Sequence, residues 1–143
     1  MAQEFKFRFR GSNGGLAVNL KADSRPLEDG HPRHGMQVYK KIWLGLPASG
    51  LHWKDAAWLA FGMSTNARSL SELFPDGLLV CVISLDYPLS EYRAEVAALA
   101  MDGWLHERFE IEDSGVSVRH DAVRDQFDFT WGDVALPFSD PPR

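Results

Sequence analysis

Phe5, Phe7 and Phe9 alternate with Lys6, Arg8 and Arg10, the period-two pattern of a strand with one apolar face and one basic face. Gly11-Ser12-Asn13-Gly14-Gly15 follows, and Leu16, Val18 and Leu20 then alternate with Ala17, Asn19 and Lys21. Glycines that tolerate positive φ between two alternating runs predict a hairpin. The same glycines do not read as a phosphate cradle, because no Gly-Lys-Ser/Thr follows and a strand comes next. Residues 23–35 are polar and hold Pro26, Gly30, Pro32 and Gly35, which predicts a long irregular loop. Residues 36–46, rich in Val, Ile, Tyr, Trp and Leu, predict a third strand.

Residues 52–63 fit two patterns. Trp53, Ala56, Ala57, Ala60 and Met63 have helical spacing, whereas Trp58-Leu59-Ala60-Phe61 reads as a short strand; the helix is the preferred reading. Ser69-Leu70-Ser71-Glu72 has the form of a capping box opening a short helix that closes at Pro75-Asp76-Gly77. Residues 78–85 are continuously apolar, as expected of a central strand buried on both faces. A long helix is predicted over about residues 90–108, with Tyr92, Val96, Leu99 and Gly103 on one stripe and Glu91, Glu95 and Asp102 on the wet side. Strands are predicted at 109–112, 116–119 and 126–131, the first two joined by Asp113-Ser114-Gly115. Runs of strands beside segregated helices describe an α+β domain, with a largely antiparallel sheet and helices on one face. One globular domain over residues 1–132 and a Pro-rich tail over 133–143 is the expected organisation.

Composition supports that picture. A chain of 143 residues with 45% apolar and 24% charged residues has a core large enough to fold without metals or disulfides. One cysteine excludes an internal disulfide and is consistent with a reducing compartment. There is no run of 18 apolar residues and no signal peptide at Met1-Ala2-Gln3-Glu4, so a cytoplasmic protein without membrane contact is expected. Arg outnumbers Lys ten to five and Ile occurs three times, a bias of GC-rich bacterial genomes.

Charge changes the picture more. Residues 1–71 carry ten Lys/Arg and five Asp/Glu, whereas residues 72–143 carry five Arg and fifteen Asp/Glu, so the net −5 is +5 followed by −10. Such asymmetry points to a charged partner, or to halves that face one another in the fold or across a homodimer. Glu110, Glu112, Asp113, Asp121, Asp125 and Asp128 form the acidic candidate surface for a basic protein partner. Trp53 and Trp58 are the candidate anchors, because tryptophan dominates many interface hot spots.

The chemistry-bearing residues are sparse. His31 and His34, three apart on the 23–35 loop, and Asp86 at the end of the apolar strand form an alternative ligand-binding or catalytic set. Pro32 and Arg33 between the histidines fit no zinc signature, so no metal and no cofactor is expected. Cys81 lies within the apolar run, where a thiol is structural. No Gly-x-Ser-x-Gly elbow exists, and His120 has no neighbour in sequence that defines a role. Lys6, Arg8, Arg10 and Lys21 form a second alternative, an anion-binding face. The aromatics of that strand lie on the opposite side, which leaves base stacking unsupported and argues against nucleic acid as a partner. The expected function is a small acidic, non-enzymatic interaction module of the inhibitor, immunity or accessory kind.

Overall fold

The computed structural model of the protein describes residues 1–28, 32 and 35–139. The alternating N-terminal segments form β1 (Gln3–Arg10) and β2 (Gly15–Pro26), paired antiparallel with Phe5 opposite Leu20, Phe7 opposite Val18 and Phe9 opposite Leu16. Directly opposed residues share a face. The phenylalanines therefore join the buried leucines and valine, and Lys6, Arg8 and Arg10 stay exposed on the other side.

The apolar run 36–46 is two strands rather than one, β3 (Met36–Tyr39) and β4 (Ile42–Gly45), antiparallel about a turn at Lys40-Lys41. The turn contains no Gly, Pro or Asn, so its sequence reads as continuous strand, and Lys40 adopts φ +46°. The left-handed region costs a lysine roughly 1–2 kcal/mol, and Asn tolerates it better. Lys40→Asn is expected to stabilise the protein by about 0.5 kcal/mol, seen as a higher urea midpoint at unchanged slope. An equal or lower midpoint would contradict it.

Residues 52–63 are helical, within α1 (Trp53–Ser64), and α2 spans Ala67–Leu73. The capping-box expectation fails: α2 opens after Asn66, so Ser69 and Glu72 lie inside it. Asn66 is 2% exposed and its amide donates to Gly62 O and to Asp102 Oδ1, which fixes the break between the two helices there. β5 (Leu78–Asp86) is the central strand, antiparallel to β2 and parallel to β4, in the order β1-β2-β5-β4-β3. The helices between β4 and β5 supply the crossover that a parallel pair requires. The mixed α+β class and largely antiparallel sheet match the sequence pattern. β5 is buried on one face only: Leu78, Val80 and Val82 are in the core, whereas Ile83 is exposed on the face away from the helices.

The long helix starts later than its pattern suggests. Leu89–Glu91 is a single 3-10 turn, Tyr92 is extended, and α3 runs Glu95–Arg108. Tyr92 leaves the helix because its ring stacks on Tyr87 at 3.5 Å and its hydroxyl reaches Asp55 on α1 at 2.7 Å. Residues 109–112 are not a strand; Phe109 instead packs edge-on against Phe74 at 5.0 Å. Asp113-Ser114-Gly115 leads into β6 (Val116–Asp121), which pairs antiparallel with β7 (Gln126–Trp131) as a separate two-stranded sheet. Beyond β7, Trp131 bridges to Val134, and the Phe138 ring packs against Trp58 at 4.7 Å and Phe61 at 5.2 Å.

Two glycines set how closely the layers approach. Phe5 of β1 lies on Gly103 of α3, where a Cβ would stand 2.2 Å from the ring. Gly62 of α1 lies on the backbone of Ala98 in α3, where a Cβ would stand 2.4 Å from a carbonyl oxygen. Trp104, fully buried beside this contact layer, donates from Nε1 to Gln3 O at 2.9 Å. Among the described residues no helix is long and apolar enough to cross a membrane.

Candidate functional site

α2 and the segment that leaves α3 form the two walls of a groove of about 300 Å³, lined by Ser69, Glu72, Leu73, Glu110, Ile111 and Glu112. The helical spacing of α2 places Ser69, Glu72 and Leu73 on one side. Phe109 ends α3 in extended conformation and packs on Phe74, which lays residues 110–112 alongside that wall. The carboxylates of Glu72, Glu110 and Glu112 have no side-chain partner among the described residues. Leu73, 47% exposed, supplies an apolar contact next to them. Glu110 and Glu112 belong to the acidic set read from the sequence; Glu72 does not, because its position three after Ser69 gave it a cap role.

The remaining acids of that set are engaged within the protein. Asp113 accepts from the Gly115 amide at 3.0 Å. Asp121 accepts from Arg124 Nε at 2.9 Å and from the amides of Arg124 and Val123, and these bonds, led by the guanidinium, hold its carboxyl below the usual range. Asp128 accepts from Gln126 and lies 3.7 Å from both Arg119 and Arg124. The acidic candidates read from the sequence therefore do not form one surface: Glu110 and Glu112 line the groove, whereas Asp121 and Asp128 are bonded within the β6–β7 hairpin.

Asp125 belongs to a third arrangement that the sequence did not disclose. Its Oδ1 is 2.9 Å from His120 Nε2, and His120 Nδ1 is 3.2 Å from Ser12 Oγ and 3.4 Å from the Ser12 amide nitrogen. His120 comes from β6, Asp125 from the β6–β7 turn and Ser12 from the β1–β2 turn, so two hairpin tips 108 residues apart meet around one imidazole. The ring is wedged against Phe127 at 5.2 Å and over Gly11, where a Cβ would stand 2.9 Å from it. The only signal in the sequence is the five-residue spacing of His120 and Asp125 across a turn.

The basic candidates share the exposed outer face of β1 and β2. Arg8 lies along its own strand, donating to Phe7 O at 2.7 Å and Asn19 Oδ1 at 2.7 Å. Lys6, Arg10 and Lys21 have no side-chain partner among the described residues. Asp86 is exposed at the end of β5, on that face and opposite Asn19. His31 and His34 lie outside the described residues. Trp53 is 70% exposed at the start of α1, with Lys54 Nζ 5.6 Å from its ring centroid. Trp58 is half-buried in a cluster with Phe61, Trp131 and Phe138. Trp53 and Trp58 thus stand in different environments.

Two buried polar groups support the scaffold. Asp55, 5% exposed, accepts one tyrosine hydroxyl on each carboxylate oxygen, Tyr92 at 2.7 Å and Tyr87 at 2.9 Å. Asp102 Oδ1 gathers Ser114 Oγ at 2.6 Å and Asn66 Nδ2 at 2.9 Å, and Asn66 Oδ1 faces His106 Nε2 at 2.8 Å. Among the described residues no group of three or more His, Cys, Asp or Glu side chains could hold a metal ion. Comparison of the chain with protein-family models, with curated proteins and with solved structures finds no match.

Proposed function

We propose that the protein is a small acidic interaction module that docks a basic protein partner in the groove between α2 and residues 110–112. The observation that supports this reading most directly is the trio of Glu72, Glu110 and Glu112 beside Leu73 and Ile111, with none of the three carboxylates in an ion pair or side-chain hydrogen bond among the described residues. Carboxylates already held by Arg124 and His120 would have to lose those bonds before engaging a partner, whereas these three have none to lose. A segment presenting Lys or Arg beside one apolar side chain complements the groove: the charges steer the encounter and Leu73 with Ile111 receives the apolar group. An inhibitor, immunity or accessory role fits such a surface, and no step of chemistry is part of it.

The test uses a fluorescent 12-residue peptide of alternating Lys and Leu, titrated with the full chain and followed by anisotropy. Binding is expected to weaken by about tenfold or more on raising salt from 0.01 to 0.15 M, because the Debye length falls from about 30 to 8 Å. Glu72→Lys with Glu110→Lys and Glu112→Lys is expected to abolish it, whereas Asp121→Asn should leave it within about twofold. Salt-independent binding, or equal binding by the triple variant, would sink the assignment.

A further inference from the structure

We propose that Ser12, His120 and Asp125 form an acyl-transfer centre in which Ser12 Oγ is the nucleophile, His120 the general base and Asp125 the group that orients it, acting on small activated esters. The three were not associated by sequence, and the docking groove has no part in the argument. Nucleophile, base and orienting carboxylate stand in one chain of contacts: Ser12 Oγ to His120 Nδ1 at 3.2 Å, and His120 Nε2 to Asp125 Oδ1 at 2.9 Å. A serine–base–acid constellation is recognised by this geometry, whatever its order along the chain.

The tautomer follows from the neighbours. The Ser12 amide is a donor and points at Nδ1 at 3.4 Å, so Nδ1 must be the lone-pair nitrogen. The Asp125 carboxylate accepts, so the ring proton belongs on Nε2. With Nδ1 unprotonated, its one in-plane lone pair faces both the Ser12 amide at 3.4 Å and the Ser12 hydroxyl at 3.2 Å, and a general base takes the hydroxyl proton on that lone pair as the long amide contact is given up. Contact with Phe127 and the absence of a Cβ on Gly11 hold the ring in that plane. Ser12 itself is exposed, on a turn closed by the Gly11 amide donating to Gly14 O at 2.7 Å. Its oxygen is therefore open to a reagent from solvent, which selects small substrates with good leaving groups over those needing an enclosed pocket.

In the first step the Ser12 oxygen bonds to the acyl carbon while its proton passes to His120 Nδ1. The bond to the leaving oxygen then breaks, and that oxygen takes the proton from Nδ1. In the second step the water oxygen bonds to the acyl carbon while its proton passes to Nδ1; the bond from that carbon to the Ser12 oxygen then breaks and Ser12 takes the proton back from Nδ1, so that ester and water become acid and alcohol.

The full chain is treated with a small phosphonyl fluoride, which forms a stable oxygen–phosphorus bond to an activated serine with loss of fluoride, and is read by intact mass and peptide mapping. One phosphonyl group on Ser12 is expected, and none there in Ser12→Ala. His120→Gln should slow labelling by about a hundredfold, the share a general base supplies. Asp125→Asn should slow it by about tenfold or more; Asn suits the φ of +51° at that position, so the turn is kept. Circular dichroism melts of each variant separate lost chemistry from lost folding. An unlabelled Ser12, or labelling equally fast in folded His120→Gln and Asp125→Asn, overturns the proposal.

Discussion

Replacing Gly62 with alanine is expected to lower stability by about 3 kcal/mol and the melting temperature by on the order of 10 °C. Helix propensity argues the other way, since alanine in a helix interior is favoured over glycine by roughly 1 kcal/mol. Geometry decides the sign. The added carbon would stand 2.4 Å from the Ala98 carbonyl oxygen and 2.8 Å from its Cα, and these are backbone atoms of a helix that is itself buried between α1 and the sheet. No side-chain rotation relieves the contact, so α1 and α3 must separate and open the layer formed by Leu59, Met63, Ala97 and Met101. Urea unfolding of the variant measures the loss directly. A variant as stable as the parent would mean that α1 and α3 do not cross at Gly62.

Asp55→Ala is expected to cost about 2 kcal/mol, since it leaves the partly buried Tyr92 hydroxyl without its acceptor, whereas the Tyr87 hydroxyl can turn to water. Asp55→Asn should cost less, because its carbonyl still accepts one of them. The same contact sets an alkaline limit. Burial, and then the bond to Asp55, push the Tyr92 phenol well above its ordinary range, and the same two causes raise Tyr87. Below a pH of about 10 both folded and unfolded chains hold these protons, and the stabilisation is present in full. As pH rises past about 10 the unfolded chain releases protons that the folded chain retains, so unfolding is favoured increasingly, by at most about 1.4 kcal/mol per pH unit for Tyr92. Urea midpoints measured from pH 8 to 11 should therefore fall, and fall less steeply in Tyr92→Phe. Parallel curves for the two proteins would remove Tyr92 from the alkaline transition.

What the sequence could show and what it could not divides along physical lines. Period two over Phe5–Phe9 and Leu16–Leu20 specified both the hairpin and the face each residue takes, because alternation is a local property. The end of β3 was illegible, since the turn at Lys40-Lys41 is held by its flanking strands and not by a residue that prefers φ above zero. The start of α3 was misplaced because Tyr92, helical in spacing, is drawn out by a carboxylate 37 residues away. Acidic residues could be counted but not sorted. Whether Asp121 is paired or Glu110 unpaired depends on where Arg124 and α2 lie. Ser12 and His120 were beyond reach altogether, because sheet packing alone brings their hairpins together.

The central strand of the sheet is the last of its five to be made. Pairs β1–β2 and β3–β4 are complete in the sequence by Gly45, but the strand that joins them ends at Asp86. At about 5–20 residues per second of synthesis, the intervening 41 residues take about 2–8 s. Throughout that interval β2 and β4 each present an unpaired edge beside buried-type side chains such as Val18, Leu20, Ile42 and Leu44. A nascent chain in this condition is a target for strand addition by a neighbour and for capture by a chaperone. Slowed translation between Gly45 and Leu78 should therefore lower the soluble yield of this protein, whereas slowing after Asp86 should not.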